Sequence, residues 1–249
     1  LSNNNQRLFL TMAPECAYVQ GGLSDWAVNN AFGGAYLPIM EAFKDDIDMM
    51  NVQLYNTGSM LGLDGREYFQ GTPSFVVAMT EAVIEGFTAL GGIGTYSGLD
   101  QAQVGVGLPG CHSSDAVEHE ILQDAMQYLL GQGPQVGSYT LRNADGYPNL
   151  RGMMTWSINS DKFCSPSYGY SETFGKIFYN SPYLEASVDG KIYVGEEDGG
   201  EIMVELINDT FAENLDISNW SITTLVEGVT VEVTRLSDTE AQITLIGNA

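Results

Sequence analysis

Basic residues are scarce in this sequence, and their scarcity restricts the partners that the chain can bind. Nine Lys and Arg residues are outnumbered by 32 Asp and Glu residues, which gives a formal net charge of −23 at pH 7. A field of that sign repels phosphate backbones and anionic lipid headgroups. Nucleic acid and membrane surfaces are therefore not expected as partners, whereas uncharged ligands remain open. A strongly acidic, solvated surface is typical of a secreted protein, and we expect an extracellular location.

Cysteine is rare, and long apolar runs are missing. The three cysteines, Cys16, Cys111 and Cys164, are too few for a disulfide scaffold, and their spacing matches no zinc motif. One bridge with one free thiol and three reduced thiols are both compatible with the sequence. No run of about 18 apolar residues occurs, so no segment is predicted to span a bilayer. The first seven residues contain neither Met nor a signal-peptide core, so we expect the chain to start within a longer polypeptide.

Residues 1–181 alternate short apolar runs with helix-period stretches, which is the pattern of βα units. The runs predict buried strands at 7–13, 49–55, 103–108 and 152–158, with helices at 36–43, 75–87, 121–129 and 172–178. Asp115 and Glu118 are expected to cap the third helix. Parallel strands need helical crossovers and cover on both faces, so the sequence predicts an α/β domain. Four such units form either half of an eight-stranded barrel or a small open sheet.

Residues 182–249 show no helical period and predict a second, all-β domain. Short runs with period-two alternation occur at 191–194, 201–207, 220–225, 230–236 and 241–246. Turn-rich pieces separate these runs, as in an antiparallel immunoglobulin-like sandwich. The chain stops one residue after Asn248, which leaves open whether closing strands follow.

Four strings at the ends of the predicted strands carry a family resemblance. They are Leu10–Glu15, Val52–Gly58, Gly105–Pro109 and Gly152–Asn159. In their order and spacing they resemble the family 18 glycoside hydrolases, in particular the small bacterial chitinases. The resemblance covers about residues 7–180 and implies that the strings belong to strands five to eight. It thus implies the C-terminal half of a (β/α)8 TIM barrel, followed by the β-sandwich.

The resemblance implies a site at the carboxyl ends of the barrel strands, where barrel enzymes hold their active sites. Gln53 and Tyr55 are two residues apart on one strand, so their side chains are expected to point the same way. Trp156 shares a face with Met154 and would give a flat apolar floor for a sugar ring. The alternatives are a core aromatic at Trp156 and simple packing at Tyr55.

The family's mechanism is substrate-assisted and retaining, with the sugar's own acetamido oxygen attacking the anomeric carbon. On this resemblance the Tyr55 hydroxyl is the catalytic donor that holds the acetamido oxygen for attack. Gln53 and Glu15 would hydrogen-bond the sugar or the surroundings of the acid. Further substrate contacts, each with a structural role as the alternative, are expected from Trp26, Tyr18 and Asn56. No cofactor and no metal is implied.

The catalytic acid of the family is missing from this sequence. The family places it in a D-x-x-D-x-D-x-E string at the end of strand four, and no such string occurs in the chain. We therefore expect the chain alone not to hydrolyse chitin and to require the N-terminal half of the barrel as a partner. Two hypotheses follow: a part of a secreted chitinase acting on N-acetylglucosamine polymers, or a non-catalytic chitin-binding protein. Ser160 departs from the Trp that relatives often carry, which leaves the neighbouring subsite in doubt.

Three further motifs of the sequence indicate other kinds of site. Gly105–Gly110 matches G-x-G-x-x-G, but Pro109 blocks the turn that a dinucleotide site needs, so nucleotide binding is not predicted. Cys111 and Cys164 follow the strands that resemble seven and eight, which makes a bridge between them plausible. Glu196–Asp198 could bind calcium weakly, although a solvated acidic turn is the preferred interpretation.

Overall fold

The computed structural model describes residues 8–30, 32–179, 182–220, 222 and 225–249. They form two compact units, one ending at Phe178 and one beginning at Tyr179. The start of the first predicted strand and parts of the run predicted at 220–225 lie outside the described residues. Within the described ranges, no helix is long and apolar enough to cross a membrane.

A four-stranded parallel sheet forms the centre of the first unit. The strands of this unit are β1 (Leu10–Met12), β2 (Ile47–Gln53), β3 (Ser59–Leu61), β4 (Glu67–Phe69), β5 (Phe87–Ala89), β6 (Gly94–Tyr96), β7 (Val104–Pro109) and β8 (Gly152–Trp156). The parallel sheet has the order β1-β2-β7-β8, whereas β3-β4 and β5-β6 are small antiparallel hairpins. All four predicted buried strands are therefore present in parallel pairing, and the α/β class is confirmed.

Among the residues that the structure describes, four helices occupy the connections between the parallel strands, and two more follow β8. They are α1 (Asp25–Asn29), α2 (Leu37–Ala42), α3 (Pro73–Glu85), α4 (His119–Leu129), α5 (Ile158–Lys162) and α6 (Gly169–Phe178). Helix α3 begins where the Thr72 side chain accepts from the Phe75 amide, with proline in the first turn. It ends at Gly86, whose φ of +69° suits a residue without Cβ.

The cap predicted for α4 is wrong. This helix begins after Glu118, whose side chain makes no capping hydrogen bond. The carboxylate of Asp115 instead accepts hydrogen bonds from Asn56 and Gln70, far away in the sequence. Asp115 thus makes hydrogen bonds to residues that are distant in the sequence and does not cap α4.

Strand β7 is buried along its whole length and includes two glycines without space for a side chain. A Cβ on Gly105 would lie 2.2 Å from Oδ1 of Asn51, and one on Gly107 would lie 2.7 Å from the carbonyl oxygen of Val52. These contacts explain glycine within a central strand, where it otherwise weakens the sheet. The side chain of Asn51 and the backbone of Val52 thus pack directly against the backbone of β7.

A buried carboxylate connects α3 to the segment that precedes β8. Glu81 is fully buried, and Oε1 accepts from the Arg142 amide at 2.7 Å and the Tyr147 hydroxyl at 2.8 Å. Its other oxygen accepts from the Tyr139 hydroxyl. Burial, followed by the hydrogen bond to Glu81, raises the pKa of Tyr139 and of Tyr147 above the ordinary value. Both tyrosines therefore stay neutral donors to the carboxylate.

The second unit contains one antiparallel sheet. Its strands are β9 (Tyr183–Ser187), β10 (Glu201–Ile207), β11 (Thr230–Arg235) and β12 (Glu240–Ile246), in the order β11-β12-β10-β9. Alternate residues of β12, such as Ala241 and Ile243, are buried, as the period-two pattern predicts. Three of the predicted runs are strands, but the run at 191–194 is not, and β9 was not predicted. A sandwich requires a second sheet, so the immunoglobulin-like fold stays a prediction.

The acidic turn of the second unit uses its carboxylates as backbone acceptors. Glu197 accepts from the amides of Gly195 and Ala249, and Asp198 accepts from the amide of Gly247. In the described part of the chain, no cluster of three or more His, Cys, Asp or Glu residues could hold a metal ion.

Candidate active site

The carboxyl ends of the parallel strands bring several predicted site residues to one edge of the sheet. An isolated bridge pairs Glu15 with Gln53, Gln53 pairs with Gly107, and Gly107 pairs with Met154. These four residues form one row across the sheet. Trp156 lies two residues further along β8. The predicted location at the strand ends thus matches the register of the backbone.

A cleft of about 330 Å³ opens beside Glu15 and Gln53. Its lining consists of Met12, Ala13, Pro14, Glu15, Tyr18, Tyr36 and Gln53. The Gln53 amide nitrogen donates to the carbonyl oxygen of Ala13 at 2.6 Å, which fixes the side chain against the segment after β1. The Glu15 side chain is exposed. The cleft therefore brings together three of the predicted residues: Glu15, Tyr18 and Gln53.

Tyr55 lies just beyond the end of β2, with only 6% of its surface exposed. Burial, and secondarily the charge of Glu15, raises its pKa above the ordinary value of tyrosine. The hydroxyl is therefore protonated at neutral pH and can donate a hydrogen bond. It has no hydrogen-bond partner among the described residues, and it is not one of the fully buried polar atoms that lack a partner, so water or a ligand can reach it. A polar group on a ligand would satisfy it.

Trp156 is 70% exposed at the end of β8, and its role, as a sugar platform or as a core aromatic of the barrel, stays a prediction. Its backbone oxygen accepts from the Gly110 amide at 2.8 Å. Met154, two residues earlier, points to the same face and is half-buried. The Met154 carbonyl accepts from the hydroxyl of Tyr170 at 2.9 Å, a neighbour that was not predicted. Tyr170 also lies close enough to Tyr55 for the two to interact electrostatically.

Four aromatic rings form a row, two of which, Tyr18 and Tyr36, line the cleft. Tyr18 stacks on Tyr36 with ring centroids 5.0 Å apart, and it meets Phe32 edge-on at 6.3 Å. Phe32 in turn meets Trp26 at 6.1 Å. Trp26 is 69% exposed on α1, so one end of the row faces solvent. The row connects two predicted residues, Trp26 and Tyr18, through rings that were not predicted.

The remaining predicted residue, Asn56, lies in the turn after Tyr55. Its side chain is exposed, and its φ of +53° lies in the left-handed region. Its amide donates to Asp115 at 2.9 Å. Asn56 thus adjoins Tyr55 in the chain, and the structure gives its backbone a defined partner in Asp115. The local sequence contains no signal for Asp115, because the two segments are 59 residues apart.

A disulfide bridge joins Cys111 to Cys164, so the plausible pairing is confirmed. It connects the segment after β7 to the segment after α5, close to the strand ends that carry the candidate site. Cys16 is free and buried. Burial raises the pKa of the Cys16 thiol far above its ordinary value, so it stays unreactive.

Replacing both bridged cysteines with serine is expected to lower the free energy of unfolding by about 2–4 kcal/mol. The bridge closes a loop with a sequence separation of 53, so its loss frees the unfolded chain. Urea unfolding with and without a thiol reductant measures the effect. The reductant should lower the midpoint of the wild type and leave Cys111→Ser/Cys164→Ser unchanged. Equal wild-type midpoints in both conditions would contradict a stabilising bridge.

No family model matches the chain, but curated relatives do. A chitinase of Paenibacillus xylanexedens is 41% identical over 171 residues, which are 67% of this chain and 32% of that protein. Chitinase D of Niallia circulans is 43% identical over 163 residues, or 64% of this chain and 30% of that protein. The chain thus spans about a third of the length of these relatives.

Solved structures of chitinases are also similar to this chain. A family GH18 chitinase from Chromobacterium violaceum matches with a TM-score of 0.56 and 32% identity, over 68% of this chain and 44% of that one. A putative chitinase A from Streptomyces coelicolor matches with a TM-score of 0.53 and 30% identity, over 70% of this chain and 51% of that one. These likenesses imply a TIM-barrel-related α/β fold. Over about two thirds of its length, this chain is therefore homologous to GH18 chitinases, of which it spans a part.

Proposed function

We propose that this chain is the C-terminal half of a chitinase barrel, residues 1–181, followed by an immunoglobulin-like accessory module, residues 182–249. The assembled barrel hydrolyses β-1,4-linked N-acetylglucosamine polymers. The observation that carries this proposal is Tyr55, whose side chain is largely buried at the carboxyl edge of the sheet while its neutral hydroxyl has no hydrogen-bond partner among the described residues. The high net negative charge fits an extracellular protein that acts on a neutral polysaccharide.

The half-barrel assignment rests on the two outer strands of the parallel sheet. Strands β1 and β8 each pair on one side only within the described residues. An unpaired strand edge offers a row of free backbone groups, and closure into a barrel removes such edges. Four parallel strands are half of the eight that a TIM barrel requires. The partner is accordingly the N-terminal half, strands one to four, which carries the acid string that this chain lacks.

Each site residue then has a role in substrate-assisted hydrolysis. Tyr55 donates its hydroxyl proton in a hydrogen bond to the acetamido oxygen, which holds this oxygen near the anomeric carbon. Gln53 and Glu15 bind sugar hydroxyl groups in the cleft. A glutamic acid of the N-terminal half protonates the leaving oxygen. The sugar's own acetamido group replaces the second carboxylate of the usual two-carboxylate scheme.

Exposed aromatic surfaces account for binding of the sugar chain. The face of Trp156 lies open to solvent and packs on the axial C–H bonds of a pyranose ring. The row from Trp26 to Tyr36 gives a second platform, next to the cleft. Tyr18 connects that platform to Glu15, because both line the same cleft. An oligosaccharide can therefore be held at more than one sugar ring.

Fusion with an N-terminal half tests the proposal. The fused enzyme consists of the preceding barrel segment of the Paenibacillus xylanexedens chitinase followed by this chain. It is expected to release N-acetylglucosamine oligosaccharides from chitin, whereas this chain alone releases none. By sedimentation velocity, the fused enzyme is expected to be a monomer and the chain alone to self-associate, because its sheet edges are open.

Two outcomes would count against parts of this proposal. A chain that is monomeric alone and unfolds cooperatively would remove the half-barrel assignment. A fused enzyme that binds chitin oligosaccharides without hydrolysing them would favour the non-catalytic binding protein. The residues encoded ahead of Leu1 give an independent check, since a chitinase requires the acid string there.

A further inference from the structure

The turn that follows Tyr55 is held by side chains from distant parts of the chain. The amide of Asn56 donates to Oδ2 of Asp115 at 2.9 Å. The next two amides, of Thr57 and Gly58, both donate to Oε1 of Gln70 at 2.8 Å. Three consecutive backbone N–H groups therefore have side-chain acceptors. Such an arrangement defines the path of the chain immediately after Tyr55.

Asp115 and Gln70 form a closed pair, which we call the brace. The Gln70 amide nitrogen donates to Oδ1 of Asp115 at 2.6 Å, so both oxygens of the carboxylate are engaged. Asp115 is 6% exposed and has no Lys or Arg partner among the described residues. Its charge is stabilised by neutral donors alone, and hydrogen bonds to an ionised acceptor are stronger than neutral ones. A buried charge in this position is costly unless its hydrogen bonds are made.

The segment that carries Asp115 also contacts the end of β8. The Gly110 amide donates to the backbone oxygen of Trp156 at 2.8 Å, and Cys111 forms the disulfide with Cys164. Residues 110–116 thus reach the backbone beside Tyr55 at one end and the backbone of Trp156 at the other. This segment therefore links the backbone next to Tyr55 with the backbone of Trp156, in addition to the pairing of β2 and β8 with β7.

We propose that Asp115 is a positioning residue for the reaction. It acts through the backbone of Asn56 and holds the Tyr55 hydroxyl at a fixed place relative to Trp156. This inference rests on the proposed function of Tyr55. It adds a residue that does not touch the sugar and that no strand-end string contains.

Hydrogen–deuterium exchange in this chain tests the brace without any activity. Asp115→Asn keeps the size of the side chain but replaces one acceptor oxygen with a donor and removes the charge. The amides of Asn56, Thr57 and Gly58 are expected to exchange at least about tenfold faster. The matched control is Asp100→Asn, because Asp100 accepts from the Ala102 amide at the amino end of β7. The control should leave the exchange of the turn unchanged.

A double-mutant cycle in the fused enzyme tests the positioning role. Asp115→Asn is expected to lower kcat by about tenfold or more while KM changes by less than about threefold, since displacement of a reacting group costs rate. In a Tyr55→Phe background the same replacement should have little further effect, because the hydroxyl that it positions is gone. Additive effects in the cycle would overturn the proposal, as would unchanged exchange in the turn.

A second variant, Gln70→Ala, tests the brace in case Asp115→Asn does not fold. Gln70→Ala removes the acceptor of Thr57 and Gly58 and leaves the carboxylate of Asp115 in place. It is expected to show the same pattern, with faster exchange and a lower kcat. If neither variant changes the exchange, the brace is absent. If Tyr55→Phe itself leaves kcat unchanged while the exchange responds, the proposed function fails and the brace is purely structural.

Discussion

Replacing Tyr55 with phenylalanine in the fused enzyme is expected to lower kcat by about 100-fold or more and to change KM little. Loss of one preorganised donor to a developing charge typically costs about 10²–10³ in kcat. The hydroxyl is suited to this role because it is neutral, belongs to a largely buried side chain and has no partner among the described residues. The ring stays in place in the variant, so sugar binding should persist. Steady-state kinetics on a chitin oligosaccharide measures both constants.

The matched control for this variant is Tyr193→Phe, the same chemical change at an exposed tyrosine of the second unit. It should leave kcat unchanged.

The pH profile of kcat gives a second check of the role of Tyr55. Because burial and Glu15 raise the pKa of Tyr55, its neutral form persists past the ordinary tyrosine pKa of about 10. Loss of kcat through ionisation of Tyr55 should therefore appear only at higher pH. An unchanged rate in Tyr55→Phe would remove the catalytic role.

Replacing Glu81 with alanine is expected to lower the free energy of unfolding of the fused enzyme by about 4 kcal/mol. The change leaves the Arg142 amide and the Tyr139 hydroxyl without their acceptor, whereas the Tyr147 hydroxyl keeps Glu85 as an acceptor. Each buried donor left unsatisfied costs about 1–3 kcal/mol. Urea unfolding followed by circular dichroism measures the loss. Glu120→Ala, at an exposed position of α4, is the control and should stay within about 0.5 kcal/mol of wild type.

The same cluster predicts a dependence on alkaline pH. The pKa values of Tyr139 and Tyr147 are raised in the folded protein, mainly by burial and then by Glu81. Above about pH 10 the unfolded chain loses these protons while the folded chain keeps them, so stability should fall as pH rises. A Glu81→Ala protein that unfolds at the wild-type urea concentration would show that the cluster is not a stabilising element.

The parallel strands could be predicted because each is a short apolar run bounded by turn residues. Buried parallel strands have no solvent face, so the run itself is the signal, as in β2 and β7. The prediction of a strand at 191–194 is wrong for a local reason. The run lies between Gly190 and Gly195, which have φ values of +90° and +85° and turn the chain at both ends. The second turn takes up the end of the run, because the Glu196 amide donates to the carbonyl oxygen of Tyr193 at 3.0 Å.

Only those residues of the candidate site that lie at the strand ends could be predicted from the sequence. Glu15, Gln53 and Trp156 lie at the carboxyl edge because parallel strands share a direction. The contacts that shape the site join segments far apart in sequence, such as the Asn56 amide and Asp115. No periodicity or local motif encodes such a contact, since it depends on how the loops pack after the sheet has formed. Contacts between segments that are distant in the sequence could therefore be identified only from the structure.

The glycines of β7 have a consequence for protein engineering. A side chain at Gly107 would meet the backbone carbonyl of Val52, so this position does not accept diversification, and a side chain at Gly105 would require the Asn51 side chain to move. Trp26, at the exposed end of the aromatic row, has no such restriction. A mutant library intended to change substrate preference should therefore keep the centre of the sheet constant and randomise the rim.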